Sequence, residues 1–515
     1  DFLTAATFLK YSGSAYVTRV VNEDSDANAV AAGSSSLVKN LEDWNSRKDG
    51  LTSNKIIAKY SGDLGNSLKV SICPASLNDS AFSGWLEGGV DISQYFDEAP
   101  YTSEHVQTAT SNANARDEVH VAIIDEDGRI SGSEGTVLET FAFLSLATDA
   151  KKSDGSTNYV LDVINNQSSF VWISNLASEF TSAKSFQFSA PSTNYVRNYS
   201  LSGGRTIAPS IGDHLRAFDL YEDPDNIQID FLIAPGISSS VDHTTVVNYL
   251  TAIASTKRKD CVVVASPPRS AVVGVISAVV DVTNTTTAVN NTVNWANGVN
   301  SSSYLIVDNN YLKVYDKYND KYVYIPAAAA TAGIMAATDI SADPWYSPAG
   351  QRRGQYFGVT SLAYNPTKSQ RDLLYRAAVN PIVNIPGQGI LLFGDKTKLG
   401  RPSAFDRINV RRLFLVMERA IKGAAQNVMF EFNDEFTRAE FVNIVEPFLR
   451  EIKGRRGITD FRVVCDETNN TPDIIDNNQF VASIFVKPAR SVNYITLNFV
   501  AVRTGVDFDE VVGLV

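Results

Sequence analysis

Apolar positions Val410, Leu413, Phe414, Met417 and Ile421 recur at i, i+3, i+4, i+7 and i+11, the spacing of one helix face. This spacing predicts an amphipathic helix over 408–422, with Arg411, Arg412, Glu418, Arg419 and Lys422 on its polar side. Asp434 stands where it can cap a second helix running toward Leu449, with a kink expected at Pro447. Residues 369–378 also read as helix. Alternation then takes over, and 460–465, 482–486 and 494–503 read as strands. In the last of these, Ile495, Leu497, Phe499 and Ala501 share one face, while Thr496, Asn498, Val500 and Val502 share the other.

Upstream, helix at 213–221, strand at 227–233, helix at 241–255 and strand at 261–265 follow one another with short connections, the pattern of a parallel crossover. Residues 81–204 are rich in turn residues and read as mostly strand. There 120–124 and Arg129-Ile130 flank Asp125-Glu126-Asp127-Gly128, a hairpin signal, while 136–146 and 159–164 fit strand or short helix. Residues 55–74 read as strand, turn, strand. The chain opens with a short helix over 2–10, a strand over 15–21 and a polar loop over 23–54 holding a short helix near 37–44. The fold class expected is multidomain, α/β and α+β. An α/β core takes residues 1–54 with 204–365, a β-rich middle domain takes 55–203, and an α+β C-terminal domain takes 366–515.

Composition narrows the function. At 515 residues, with 44% hydrophobic and 20% charged, the chain has the make-up of a large folded protein. The net charge of −12 argues against a general nucleic-acid binder. It is unevenly spread: residues 351–515 hold 22 Lys+Arg against 18 Asp+Glu, and the first 350 hold 23 against 39. No apolar run reaches the ~18 residues of a membrane span. Cys73, Cys261 and Cys465 stand far apart and read as packing residues, suited to a reducing compartment. The opening Asp1-Phe2-Leu3-Thr4 reads as that of a fragment.

A search for chemistry finds no marked site. His105, His120, His214 and His243 fall in no metal-ligand spacing, and no GxSxG elbow occurs. Gly394-Asp395-Lys396-Thr397 resembles a phosphate loop only superficially, because the glycine spacing before it is missing. Asp125-Glu126-Asp127-Gly128 lacks the distal glutamate of a calcium loop. No catalytic, metal or cofactor site is expected.

One set of ordered motifs is specific. It runs Tyr315-Asp316-Lys317-Tyr318-Asn319-Asp320, Ser347-Pro348-Ala349-Gly350, Gln370-Arg371-Asp372 and Asn380-Pro381. Phe405-Asp406-Arg407-Ile408-Asn409-Val410-Arg411-Arg412-Leu413-Phe414 is its strongest run. Arg462-Val463-Val464-Cys465-Asp466, Asn469-Asn470-Thr471-Pro472, Pro488-Ala489-Arg490-Ser491 and Asn493-Tyr494-Ile495-Thr496-Leu497-Asn498-Phe499 close it. In these the chain resembles the contractile-tail sheath proteins of large myovirus-type bacteriophages. Ser266-Pro267-Pro268-Arg269 and Tyr60-Ser61-Gly62-Asp63-Leu64-Gly65 extend the likeness more weakly. An N-terminal arm and an outer domain carried by some relatives are expected to be missing.

The resemblance implies a structural subunit and not an enzyme. Copies would form hexameric rings stacked helically around a tail tube and contract to drive the tube through the host envelope. It implies self-association, tail tube, baseplate and tail terminator proteins as partners, without nucleic acid, membrane insertion or cofactor. The setting would be the virion, assembled in the host cytoplasm. The strand bearing Tyr494, Ile495, Leu497, Phe499 and Ala501 is the expected inter-subunit element, by addition to a neighbour's sheet edge. Arg411, Arg412, Arg419 and Lys422 are the expected tube-facing residues, set against arginines paired within the fold. The alternatives are the sheath of a related bacterial contractile injection system or tailocin, a surface module binding saccharide through Trp85 or Trp172, and a hydrolase with its site in the middle domain.

Overall fold

The structure is a computed structural model that describes residues 2–51, 55–176, 180, 182–188, 195–237, 239–274 and 282–491. The chain divides into two compact units, Arg19–Ala217 and Asp1–Thr18 with Phe218–Val515.

The Arg19–Ala217 unit is built on two antiparallel sheets. One has the order β1 (Asn28–Val30), β2 (Ile56–Ser61), β6 (Val171–Ile173). The other runs β5 (Thr136–Ser145), β4 (Glu118–Asp125), β3 (Leu68–Pro74), β7 (Arg197–Ser200). The expected border at 54/55 falls inside this unit, because Asn28–Val30 pairs with Ile56–Ser61. Alternation places Val70, Ile72, Val119, Val121 and Ile123 in the main core. Ala122 and Ile124 lie instead in a second cluster with Trp85 and Phe96. Residues 159–164 are helical, within Val160–Gln167. The hairpin forms as expected, but Arg129 and Ile130 belong to its loop and not to a strand. The Asp125 carboxylate accepts hydrogen bonds from the Ser131 and Ile130 amides at 2.6 and 2.9 Å and from Ser67 Oγ at 2.6 Å. That carboxylate, suggestive of calcium in the sequence, is engaged in holding its own loop.

The second unit opens with α1 (Phe2–Phe8), as expected. Residues 15–21 form no strand: Tyr16 and Val17 are 66% and 75% exposed, so no packing rewards the extended pattern. Strands β8 (Phe231–Ile233), β9 (Val262–Ala265) and β10 (Leu305–Val307) form the parallel sheet the crossover pattern predicted. All four β9 residues are buried, as in a parallel strand covered on both faces. The core helix α2 (Ala328–Ser341) packs Ala328, Ala329, Ala332 and Met335 on β9 and β10. Its small residues admit a close neighbour, since a Cβ on Gly333 would meet the Tyr11 ring at 2.5 Å. Strands β11 (Tyr311–Asp316), β12 (Lys321–Pro326) and β13 (Ser361–Leu362) form a second sheet, and β14 (Ile382–Ile385) and β15 (Gly389–Leu392) a hairpin. Ile382 and Leu392 share a core with Leu312 and Ile334 across the expected border at 365/366.

The same unit ends in α3 (Ile408–Gln426), α4 (Glu435–Gly454) and the ribbon β16 (Ile458–Val464) with β17 (Ser483–Pro488). The α3 stripe is as predicted: Leu413 and Met417 pack on Phe441, Val445 and Leu449 of α4, with Phe414 and Ile421 at the margin. Asp434 caps α4 by accepting the Thr437 amide at 2.8 Å. The helix runs through Pro447 to Gly454, past the expected end near Leu449. Mixed helix and strand in several separate sheets matches the multidomain α/β and α+β class expected.

Candidate functional site

The four basic residues expected to face a partner part into two pairs. Arg411 and Arg412 are only 7% and 5% exposed. The Arg411 guanidinium donates to Ser303 Oγ at 3.1 and 2.7 Å and lies 4.2 Å from both the Tyr304 and Phe405 rings. Burial lowers its pKa from the ordinary arginine value. Arg412 pairs with Asp339, donates to the Met335 carbonyl at 3.3 Å and lies over Phe231. Burial raises the Asp339 carboxyl, and Arg412 opposes that rise. These two arginines join α3 to α2, β8 and the edge of β10, so they are corrected from surface to core. The cause is that Ile408–Leu413 are buried on every side, leaving this half of α3 no polar face.

Arg419 and Lys422 stay outside. Arg419 pairs with Asp230 at 2.8 Å and donates to the Asp260 carbonyl at 3.0 Å. Lys422 stands 4.0 Å from Asp225, with both side chains mostly exposed. Such contacts are weak and exchangeable. Beyond them, the α3–α4 turn and the first turn of α4 carry a feature that sequence reading missed. Met429, Phe430, Phe432 and Phe436 are 59%, 100%, 84% and 76% exposed. The signal was the run Val428-Met429-Phe430-Glu431-Phe432, apolar but outside either helix stripe.

The ribbon of β16 and β17 is the second candidate surface. Phe461, Val463, Ile484 and Val486 pack toward α4, while Arg462 faces Phe485, 60% exposed, on the other side. Neither strand has another strand partner among the described residues. Edge amides and carbonyls of such a ribbon are open to a third strand.

The root of the terminal segment lies beside this ribbon. Asp395, 2% exposed, accepts from Ser491 Oγ at 2.6 Å, Ser347 Oγ at 3.1 Å and Tyr375 Oη at 3.2 Å, and pairs with Arg407 at 3.1 Å. Three of the ordered motifs, through Ser347, Arg407 and Ser491, thus meet with Tyr375 at one carboxylate, contributed by the Gly394-Asp395-Lys396-Thr397 run. Burial and then Asp395 raise the Tyr375 phenol, which stays a neutral donor. Tyr494, Ile495, Leu497, Phe499 and Ala501 lie outside the described residues.

The remaining candidates are core residues. Trp85 is fully buried, donating to Ser71 Oγ at 2.7 Å, and Trp172, 4% exposed, stacks on Trp44 at 5.3 Å. Neither offers a face to saccharide. All three cysteines are buried and free, and burial pushes the Cys73 and Cys261 thiols up to about 12. His120 and His243 are buried, His243 with its pKa pushed down to about 4. No group of three metal-ligating side chains occurs among the described residues, and none of their helices is long and apolar enough to cross a membrane.

Residues 213–398 match the family model described as phage tail sheath protein central domain, and 401–501 that of the phage tail sheath C-terminal domain. The chain is 36% identical over 474 residues to the tail sheath protein of Vibrio phage KVP40, covering 89% of this chain and 67% of that protein. It is 42% identical over 319 residues to the tail sheath protein of Enterobacteria phage T4, covering 61% of this chain and 48% of that one. With the tail sheath protein of Salmonella phage ViI it shares 30% identity over 588 residues, covering 99% and 88%.

Proposed function

Because the chain belongs to the phage tail sheath protein family, we propose that it polymerises as hexameric rings stacked helically around a tail tube and contracts to drive that tube through the host envelope. The observation that carries the mechanism is the β16–β17 ribbon, two strands with both outer edges open among the described residues. In this reading the strand bearing Tyr494, Ile495, Leu497, Phe499 and Ala501 leaves one copy at Ser491 and adds to the ribbon of another. Main-chain hydrogen bonds then hold the link while whole subunits turn. Repeated heterologous contacts of this kind build an open helical array.

Contact with the tube is assigned to the outer half of α3 and the α3–α4 turn, with Arg419, Lys422, Met429, Phe430, Phe432 and Phe436. Arg411 and Arg412 have no part in it. The β-rich residues 55–203 would face outward on the sheath. Baseplate and terminator proteins would cap the array, and assembly would take place in the host cytoplasm. No step requires catalysis or a cofactor, since two packings of nearly rigid subunits differ in interface free energy.

The test is electron microscopy of the chain beside a version ending at Ser491, each with and without tail tube. Striated tubes from the first and dispersed particles from the second are expected. Equal polymerisation by both would remove the strand from the mechanism.

A further inference from the structure

A groove of about 810 Å³ opens where β16 begins and β17 ends, walled in part by Arg353, Lys453, Arg456, Thr459, Arg490 and Ser491. Its charge is one-sided. Asp395 in the wall is already engaged by Arg407, and Lys453 pairs with Asp460 at 3.0 Å. Arg353, Arg456 and Arg490 make no ion pair with a carboxylate among the described residues. Arg353 donates to the Ser347 carbonyl at 2.8 Å and lies over the Tyr346 ring. A surplus of guanidinium groups around a concave, half-apolar wall suits a peptide carrying both carboxylates and apolar side chains.

The chain carries such a peptide. After Arg503 it has no further Lys or Arg, and Val506-Asp507-Phe508-Asp509-Glu510-Val511-Val512 sets three carboxylates among apolar residues. We propose that this acidic segment of a second copy seats in the basic groove and latches the exchanged strand. Geometry favours the second copy. In the strand-exchange reading an extended 494–501 would carry the chain ~26 Å or more from Ser491, and the few residues before Asp507 span at most ~20 Å. A strand laid on a neighbour's ribbon has the neighbour's groove at its end. The latch also sets direction: the incoming strand runs antiparallel to β16 or parallel to β17, the two arrangements that end at the groove. That direction rests on the strand-exchange reading, whereas docking of the acidic segment can be measured without it.

A labelled peptide of residues 504–515 is titrated into the chain carrying D507K, D509K and E510K, so that its own segment does not compete. Saturable binding is expected, falling at high salt and weakened at least about tenfold by Arg456→Glu with Arg490→Glu. Absent binding, or binding indifferent to those two reversals, overturns the latch even where the chain still polymerises. The source is read from single-cysteine chains, T459C mixed with D509C, since the native cysteines are buried. A disulfide between the two chains is expected in assemblies. A disulfide found only within a chain carrying both substitutions would overturn the second-copy assignment. Peptide binding together with polymerisation that survives truncation at Ser491 would uphold docking of the acidic segment in the groove but overturn its role as a latch, and would defeat strand exchange.

Discussion

Ser491 donates its hydroxyl to the buried Asp395 carboxylate at 2.6 Å, and the next residue begins the segment assigned to exchange. Under the strand exchange proposed above, this bond would anchor the segment where it leaves the described fold, so that a neighbour's pull is delivered to the fold. Ser491→Ala is expected to lower stability by about 1.5–3 kcal/mol, one hydrogen bond to a charged group, and to disturb assembly. Asp395→Ala, which also takes from Arg407 the nearer of its two carboxylate partners, is expected to cost about 3 kcal/mol or more. Urea unfolding of each variant beside a sedimentation assay of assembly checks both.

The two halves of α3 should respond differently. Arg412 is joined to Asp339 inside the fold, and Arg412→Ala is expected to destabilise by about 3 kcal/mol. Lys422→Ala, at an exposed 4.0 Å contact, is expected to change stability by less than about 0.5 kcal/mol. Comparable losses in urea unfolding would contradict the division into core and surface arginines.

The exposed tip of the α3–α4 turn makes the opposite kind of prediction. Replacing Phe430 and Phe432 with Ser removes no packing within the chain, so stability should hold within about 0.5 kcal/mol. Assembly on tail tube should fall. Cosedimentation with purified tube, set against thermal unfolding of the free chain, reads the two effects separately.

Stability should also depend on Asp308, buried at the end of β10. Burial raises its carboxyl to about 7, with Ser266, the Asn310 amide and Thr331 opposing the rise. The folded pKa lies above the unfolded one. The contribution is therefore fully present below the ordinary carboxylate range and is lost as pH rises toward 7, by up to about 4 kcal/mol. Asp308→Asn should flatten this dependence and melt higher than the parent at pH 8. Unchanged melting profiles between pH 4 and 8 would contradict it.

Much of the local structure was legible in the chain. The stripe of α3, the Asp434 cap and the parallel crossover each rest on residues close in sequence. Arg411 and Arg412 were misplaced because long side chains count as polar in a binary pattern, although their stems and stacked guanidinium groups fill a core. Asp395 was hidden for another reason. Its partners come from positions 347, 375, 407 and 491, and no window of sequence contains them together. Residues 15–21 show the reverse failure, a strand pattern with no neighbour to pair with among the described residues.

Strand exchange, as proposed, has one copy's terminal segment complete another copy's ribbon. The direct measurement mixes chains carrying Asn498→Cys with chains carrying Arg462→Cys or Phe485→Cys, one for each edge strand, and oxidises the assembled material. A disulfide joining different chains is expected with one of the two partners, at a yield that falls when the assemblies are dissolved first. Intact assemblies in which neither partner is joined to Asn498→Cys, or in which the bond forms only within a chain carrying both substitutions, would contradict it.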